Sequence, residues 1–118
     1  MSGRILIALA LWPCWLAPAA AERLITESYE ITIDSRCEEG IVNCNNVLFR
    51  GVERKTGKVL RLKGADMHTL CADGVTPCRF LGHAFRRGKL RVTVWENGTL
   101  TFEQGKKVLL EEQGKWSD

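Results

Sequence analysis

Leu90-Arg-Val-Thr-Val-Trp95, Glu96-Asn-Gly98 and Thr99-Leu-Thr-Phe-Glu103 form the stretch whose reading decides the fold. Apolar and polar residues alternate on both sides of a short turn, which is the period of a half-buried strand. With Leu90, Val92 and Val94 toward a core, Arg91, Thr93 and Trp95 face the other side. Leu100 and Phe102 then meet the apolar face across the turn. Asn97-Gly98 is the strongest single turn signal, because both central positions of a type I′ turn need positive φ and these two residues tolerate it best. The antiparallel pairing allows one polar face.

The same grammar extends outward. Upstream, Phe80 to Phe85 leads to a turn at Arg86-Arg87-Gly88; downstream, a turn at Gly105-Lys106 precedes Val108 to Leu110. Together these segments read as a meander. In the first half, Tyr29, Ile31 and Ile33 alternate with Glu30, Thr32 and Asp34. Val47 to Val52 passes through Lys55-Thr56-Gly57 to Val59 through Leu62, a hairpin. Gly64 to Leu70 is expected to be irregular, and the polar tail Glu111 to Asp118 to fray at its end. No segment keeps a 3.6-residue period long enough for a helix. The fold class is mostly β: a small antiparallel β-meander forming a sandwich or a partly open barrel, with two disulfides.

Met1-Ser-Gly-Arg4, the uncharged run Ile5 to Leu16 and the small residues Ala17-Pro-Ala-Ala-Ala21 have the layout of a secretory leader. A spanning helix needs roughly 20 apolar residues, and this run is shorter, with Pro13 inside it and Pro18 in the small-residue tail. We therefore expect residues 1–21 to be a cleaved signal peptide and 22–118 a single β-rich domain, periplasmic or secreted, with no transmembrane segment after cleavage. Leu11-Trp12-Pro13 before Cys14 does not suit lipoprotein processing, so Cys14 leaves with the leader. Of the 5 cysteines, Cys37, Cys44, Cys71 and Cys78 then remain. An even set in a small exported chain reads as disulfides. Cys37-Glu-Glu-Gly-Ile-Val-Asn-Cys44 and Cys71-Ala-Asp-Gly-Val-Thr-Pro-Cys78 echo each other in spacing and in a central acidic-Gly pair. That pair can turn each segment back on itself, which favours Cys37 with Cys44 and Cys71 with Cys78 over cross-links between the segments. A zinc site, with His68 as an extra ligand, is disfavoured because structural zinc sites space their cysteine pairs about two to four residues apart. No metal and no other cofactor is expected.

The net charge of +3 loses Arg4 with the leader, leaving 16 basic against 14 acidic residues. This balance excludes a nucleic-acid footprint, and the basic clusters Arg86-Arg87, Lys89, Arg91 and Lys106-Lys107 read as solvated surface. Disulfide-bonded cysteines offer no thiolate, Ser28, Ser35 and Ser117 form no recognisable triad, and the adjacent pairs Glu38-Glu39 and Glu111-Glu112 point to opposite strand faces. His68 or His83 could act as a general base beside Asp66 or Asp73 only if folding brought them together, and a core-edge or surface histidine is the expectation. The chain is expected not to be an enzyme. Asn97-Gly98-Thr99 matches a glycosylation acceptor, but turn formation explains it. Trp95 is assigned to core packing, while Trp95 and Trp116 are both possible anchors. The candidate partner-binding residues are His68, Asp73, Gly74, Thr76 and Arg79, held around the second cysteine ring. A loop ordered in advance lowers the ordering cost of association by about 0.5–1.5 kcal/mol per side chain.

In size, leader, disulfides and β-meander the chain resembles the small periplasmic inhibitor proteins of Gram-negative bacteria, such as the lysozyme inhibitors, and exported immunity proteins that neutralise cell-wall-degrading toxins. The resemblance is architectural and spans the mature chain, and it carries over no site residues. It implies an exported protein-binding module, in its specific form an inhibitor or immunity protein acting on a cell-wall-degrading enzyme in the periplasm. A structural or envelope-associated interaction module, a small-ligand carrier and a small hydrolase are the alternatives.

Overall fold

A computed structural model describes residues 21–38, 41 and 43–117. The expected leader up to residue 20, with Trp12, Cys14 and Trp15, lies outside the described residues, as do Glu39, Gly40, Val42 and Asp118. The strands are β1 (Ala21–Ile25), β2 (Tyr29–Ser35), β3 (Val47–Glu53), β4 (Val59–Leu70), β5 (Pro77–Arg87), β6 (Leu90–Trp95), β7 (Thr99–Gln104), β8 (Lys107–Gln113) and β9 (Lys115–Ser117). All are antiparallel and belong to one sheet in the order β8-β7-β6-β5-β4-β3-β2-β1-β9. The two ends of that order are consecutive in the chain, with Gly114 alone between them. The last stretch therefore pairs with β7 on one side, bends, and pairs with β1 on the other, so the meander curls into a nearly closed barrel. Closure of this kind covers the free edges that an open sheet would present.

Period-two alternation fills the interior. Ile31 and Ile33, Val47 and Phe49, Leu62, Phe85, Val92 and Val94, and Leu100 are buried. Complete burial of such a side chain stabilises the fold by about 1.5–3 kcal/mol. Phe49 packs against Phe85 with ring centroids 5.1 Å apart, and Tyr29 meets Phe102 at 5.1 Å. At the seam, the Glu112 carboxylate accepts hydrogen bonds from the backbone N–H and the hydroxyl of Ser28, which ties β8 to the β1–β2 turn. Burial alone would raise the Glu112 pKa. The hydrogen bonds from Ser28 and Thr26 outweigh it and lower the pKa below the ordinary carboxylate value. Burial, with the Glu53 and Glu112 charges adding to it, pushes the Tyr29 phenol up.

Several local expectations are corrected. Gly64 to Leu70 is not irregular but the second half of β4, paired with β5. Its low intrinsic strand preference is overridden by the partner strand. The tail is also a strand, since Glu111 to Gln113 continue β8 and Lys115–Ser117 form β9. β1 has no counterpart in the sequence reading. The strand β5 runs on through Arg86 and Arg87, leaving Gly88-Lys89 as the turn. At the decisive hairpin, the Gly98 N–H donates to the Trp95 carbonyl at 2.9 Å. Glu96 and Asn97 are thus the central residues, and Gly98 follows with φ 94°. The loop is a three-residue turn with a positive-φ glycine rather than a two-residue type I′ turn. Asn97 still contributes, because its side-chain carbonyl accepts the Thr99 N–H at 3.0 Å. Thr93 and Thr101, neighbours across β6 and β7, are buried although they alternate with the core residues. Trp95 stands on the outer face, 38% exposed, and does not pack in the core.

Candidate docking hairpin and the acidic mouth beside it

The β4–β5 hairpin outgrows its neighbours. On one side β3 reaches β4 only as far as the Val47–Gly64 pair, and one further bond, Asp66 N–H to the Cys44 carbonyl at 2.8 Å, extends that edge. On the other side β6 reaches β5 at the Gly82–Trp95 pair, with Glu96 N–H donating to the Leu81 carbonyl at 2.9 Å. Beyond these points His68 faces Phe80 and Leu70 faces Pro77, and the two strands pair only with each other. Four residues per strand at about 3.3 Å each carry the hairpin roughly 13 Å past the rim before its turn begins.

Cys71–Cys78 closes that turn, with Cα atoms 5.1 Å apart, and Cys37–Cys44 closes the β2–β3 connection at 5.8 Å. The pairing is therefore the one favoured by the sequence, and the thiolates that zinc would need are consumed. The two bridges differ in setting. Cys44 is buried and packs in the core, whereas the second ring sits at the exposed tip. Within that ring the Asp73 carboxylate accepts the N–H groups of Val75 and Thr76, both at 2.9 Å, and the Thr76 hydroxyl. Cys71 N–H donates to the Thr76 carbonyl at 2.8 Å, and Gly74 N–H to the Cys71 carbonyl at 2.9 Å. Those hydrogen bonds, led by the Thr76 hydroxyl, lower the Asp73 pKa to about 2. The apex carries an apolar side chain outward, with Val75 78% exposed, and Leu70 at the base of the ring is 58% exposed.

The inner face of the hairpin is tied to the barrel by a ladder of rings. His68 lies 5.5 Å from Phe80, Phe80 lies 5.1 Å from His83, and His83 lies 6.3 Å from Phe85, which stacks on Phe49. His83 is buried and its Nδ1 is 2.7 Å from Asp66 Oδ1, while Nε2 faces Glu22 Oε1 at 3.5 Å. Folding does bring a histidine and Asp66 together, and the histidine is of the core-edge kind. Around it opens a cleft of about 270 Å³ lined by Glu22, Phe80, His83, Val94, Glu96 and Trp116. The Trp116 indole N–H donates to the Glu96 carbonyl at 2.8 Å, which fixes the ring at the rim. The lining joins two carboxylates to aromatic faces, a surface suited to a cationic side chain.

The five sequence-selected binding residues do not form one patch. Asp73, Gly74 and Thr76 sit together at the tip, exposed, with Asp73 and Thr76 spent on holding the turn. Arg79 is on the flank of the hairpin, its N–H donated to the Thr69 hydroxyl at 3.0 Å and its side chain beside Leu81, Trp95, Glu96 and Asn97. His68 belongs to the inward ring ladder, with Nδ1 buried and without a hydrogen-bond partner among the described residues. Val75, Leu70, Phe80 and Glu22 were not singled out by sequence reasoning. The exposed apolar Val75 between two turn-formers was the one available signal. The fold and this hairpin define a class, a disulfide-stapled antiparallel barrel with a projecting, capped hairpin. Compared with protein-family models, with curated proteins and with solved structures, the chain matches none of them.

Proposed function

We propose that this chain is an exported protein-binding module whose β4–β5 hairpin docks into a partner, and that its specific form is an inhibitor or immunity protein acting on a cell-wall-degrading enzyme of the periplasm. The observation that carries the reading is the hairpin projecting past the barrel rim, closed by Cys71–Cys78 and presenting Val75 at 78% exposure. Such a tip is ordered before binding, which removes much of the entropic cost of association. It also presents an aliphatic side chain whose complete burial against a partner stabilises by about 1.5–3 kcal/mol. The acidic, aromatic mouth beside it, with Glu22, Glu96 and Trp116, would receive a basic side chain of the same partner. The two disulfides are compatible with an oxidising compartment outside the cytoplasm.

The test is inhibition of peptidoglycan hydrolysis. The oxidised protein is expected to abolish the lytic activity of one enzyme from a panel of cell-wall hydrolases at equimolar ratio, and Val75→Asp to weaken that inhibition by at least about tenfold, a loss of about 1.4 kcal/mol. Activity of every hydrolase left untouched by an equimolar amount would overturn the inhibitor reading. Inhibition that survives Val75→Asp unchanged would overturn the hairpin as the docking element.

A further inference from the structure

A second surface, away from the hairpin tip, has cations gathered by the sheet register. Arg50 stands directly opposite Arg61 across β3 and β4, Lys63 opposite Arg86 across β4 and β5, and Arg86 opposite Arg91 across β5 and β6. All five are exposed. Like charges directly opposite on neighbouring strands destabilise a sheet. None of the five is in an ion pair among the described residues, although Glu103 lies opposite Arg91 on β7. The sequence separates these residues by up to 41 positions, so an overall charge balance hides a face that folding makes strongly positive.

The row runs into the turn end of the barrel. There a cleft of about 290 Å³ is lined by Arg86, Gly88, Lys89, Arg91 and Gly105, and the β7–β8 turn adds Lys106 and Lys107. The same end leaves aliphatic side chains in solvent: Val59 is 44% exposed beside Lys58, and Val108 and Leu109 are 52% and 48% exposed beside Lys107. Cations interleaved with outward aliphatic side chains are what an anionic lipid surface recognises, with headgroup phosphates meeting the cations and the acyl boundary meeting the aliphatics. Single-stranded nucleic acid is bound with aromatic stacking platforms, and no aromatic ring lines this cleft.

We propose that the turn end of this face is a peripheral docking surface for a membrane rich in anionic phospholipid, with Arg86, Lys89, Arg91, Lys106 and Lys107 contacting the headgroup phosphates and Val108 and Leu109 entering the interface. The proposal stands apart from the docking tip, since it uses none of residues 67–80. A soluble enzyme partner and a vesicle test them separately.

Co-sedimentation of the oxidised protein with phosphatidylcholine vesicles, with and without phosphatidylglycerol, decides it. Binding is expected only to the anionic vesicles and should be released by salt. Arg86→Gln with Arg91→Gln should lower the partition coefficient about 30-fold at low ionic strength, without lowering the thermal midpoint, since it relieves a repulsive pair. Val108→Ser with Leu109→Ser should weaken binding several-fold while leaving its salt dependence unchanged. Should the arginine pair disturb the fold, Lys106→Gln with Lys107→Gln reads the same surface. Three results would each overturn the proposal: no association with phosphatidylglycerol vesicles, equal association with pure phosphatidylcholine, or association indifferent to both pairs of cation substitutions. Displacement from the vesicles by inorganic phosphate at constant ionic strength would show a single-phosphate site and overturn the membrane assignment as well.

Discussion

Asp73 shows how one side chain can order a turn through its charge. Its pKa is lowered from 3.8 to about 2 by the Thr76 hydroxyl and by the N–H groups of Thr76 and Val75. A carboxyl whose folded value lies below its unfolded value stabilises the turn fully above pH 3.8, and that contribution is lost as pH falls toward about 2. Because the group is fully exposed, the effect concerns local order. A carboxyl-carbon NMR titration of Asp73 should have its midpoint near 2, and Thr76→Val should move it toward 3.8. A midpoint that ignores the substitution would mean that the hydroxyl is not the cause. This residue was legible in the sequence because Asp73-Gly74 is local turn chemistry, complete within four positions. The Asp66–His83 contact was not legible as a fact. It joins residues 17 apart and depends on the register of two long strands.

At the scale of elements the two disulfide rings look alike in sequence and differ in duty. Cys37–Cys44 packs against the core, with Cys44 only 2% exposed, whereas Cys71–Cys78 closes a hairpin tip that pairs with no third strand among the described residues. Closing an eight-residue ring stabilises by about 2.5 kcal/mol in the loop-entropy model, so both bridges start from the same chain term. Only the first adds buried surface to it. Replacing Cys71 and Cys78 by Ser should therefore leave the barrel's amides protected in hydrogen exchange while those of residues 68–80 lose protection. Replacing Cys37 and Cys44 by Ser should lower the global midpoint more. The reverse order of thermal midpoints would sink this division. The rings, their internal pairing and most strands were readable, since period-two patterning and acidic-Gly turns are local. β1, the outer half of β4 and β9 were not, because Ala21, Gly64, Ala65, Asp66 and the polar tail become strand only when a partner strand is supplied. The same reason hid the cationic face, which exists only in the register of β3 to β6.

For the whole molecule, closure joins the two ends of the sheet, and it turns on Gly114. There the chain leaves β7 and joins β1, with Gly114 N–H donated to the Gly98 carbonyl at 2.8 Å and the Gln113 amide to the Asn97 carbonyl at 2.7 Å. A Cβ at position 114 would lie 2.7 Å from Thr26 Cγ2 and 2.8 Å from the Ile25 carbonyl oxygen. The backbone carbonyl cannot rotate away as a flexible side chain could, so β1 must move. Gly114→Ala should cost about 1–3 kcal/mol, as overpacking does, which for a domain of this size lowers the thermal midpoint by roughly 5 to 20 °C. The loss has a location. The N–H groups of Arg23 and Ile25, which face β9, should lose exchange protection as β1 parts from β9, and the Trp116 indole N–H resonance should shift as its bond to the Glu96 carbonyl opens. Because Glu22 and Trp116 both line the acidic mouth, the same substitution should dismantle that cleft while leaving the Asp73 turn titrating near 2. A Gly114→Ala variant that melts at the parent temperature with an unmoved Trp116 resonance would show that the seam does not hold the barrel shut. The projecting hairpin would then stand on an open sheet.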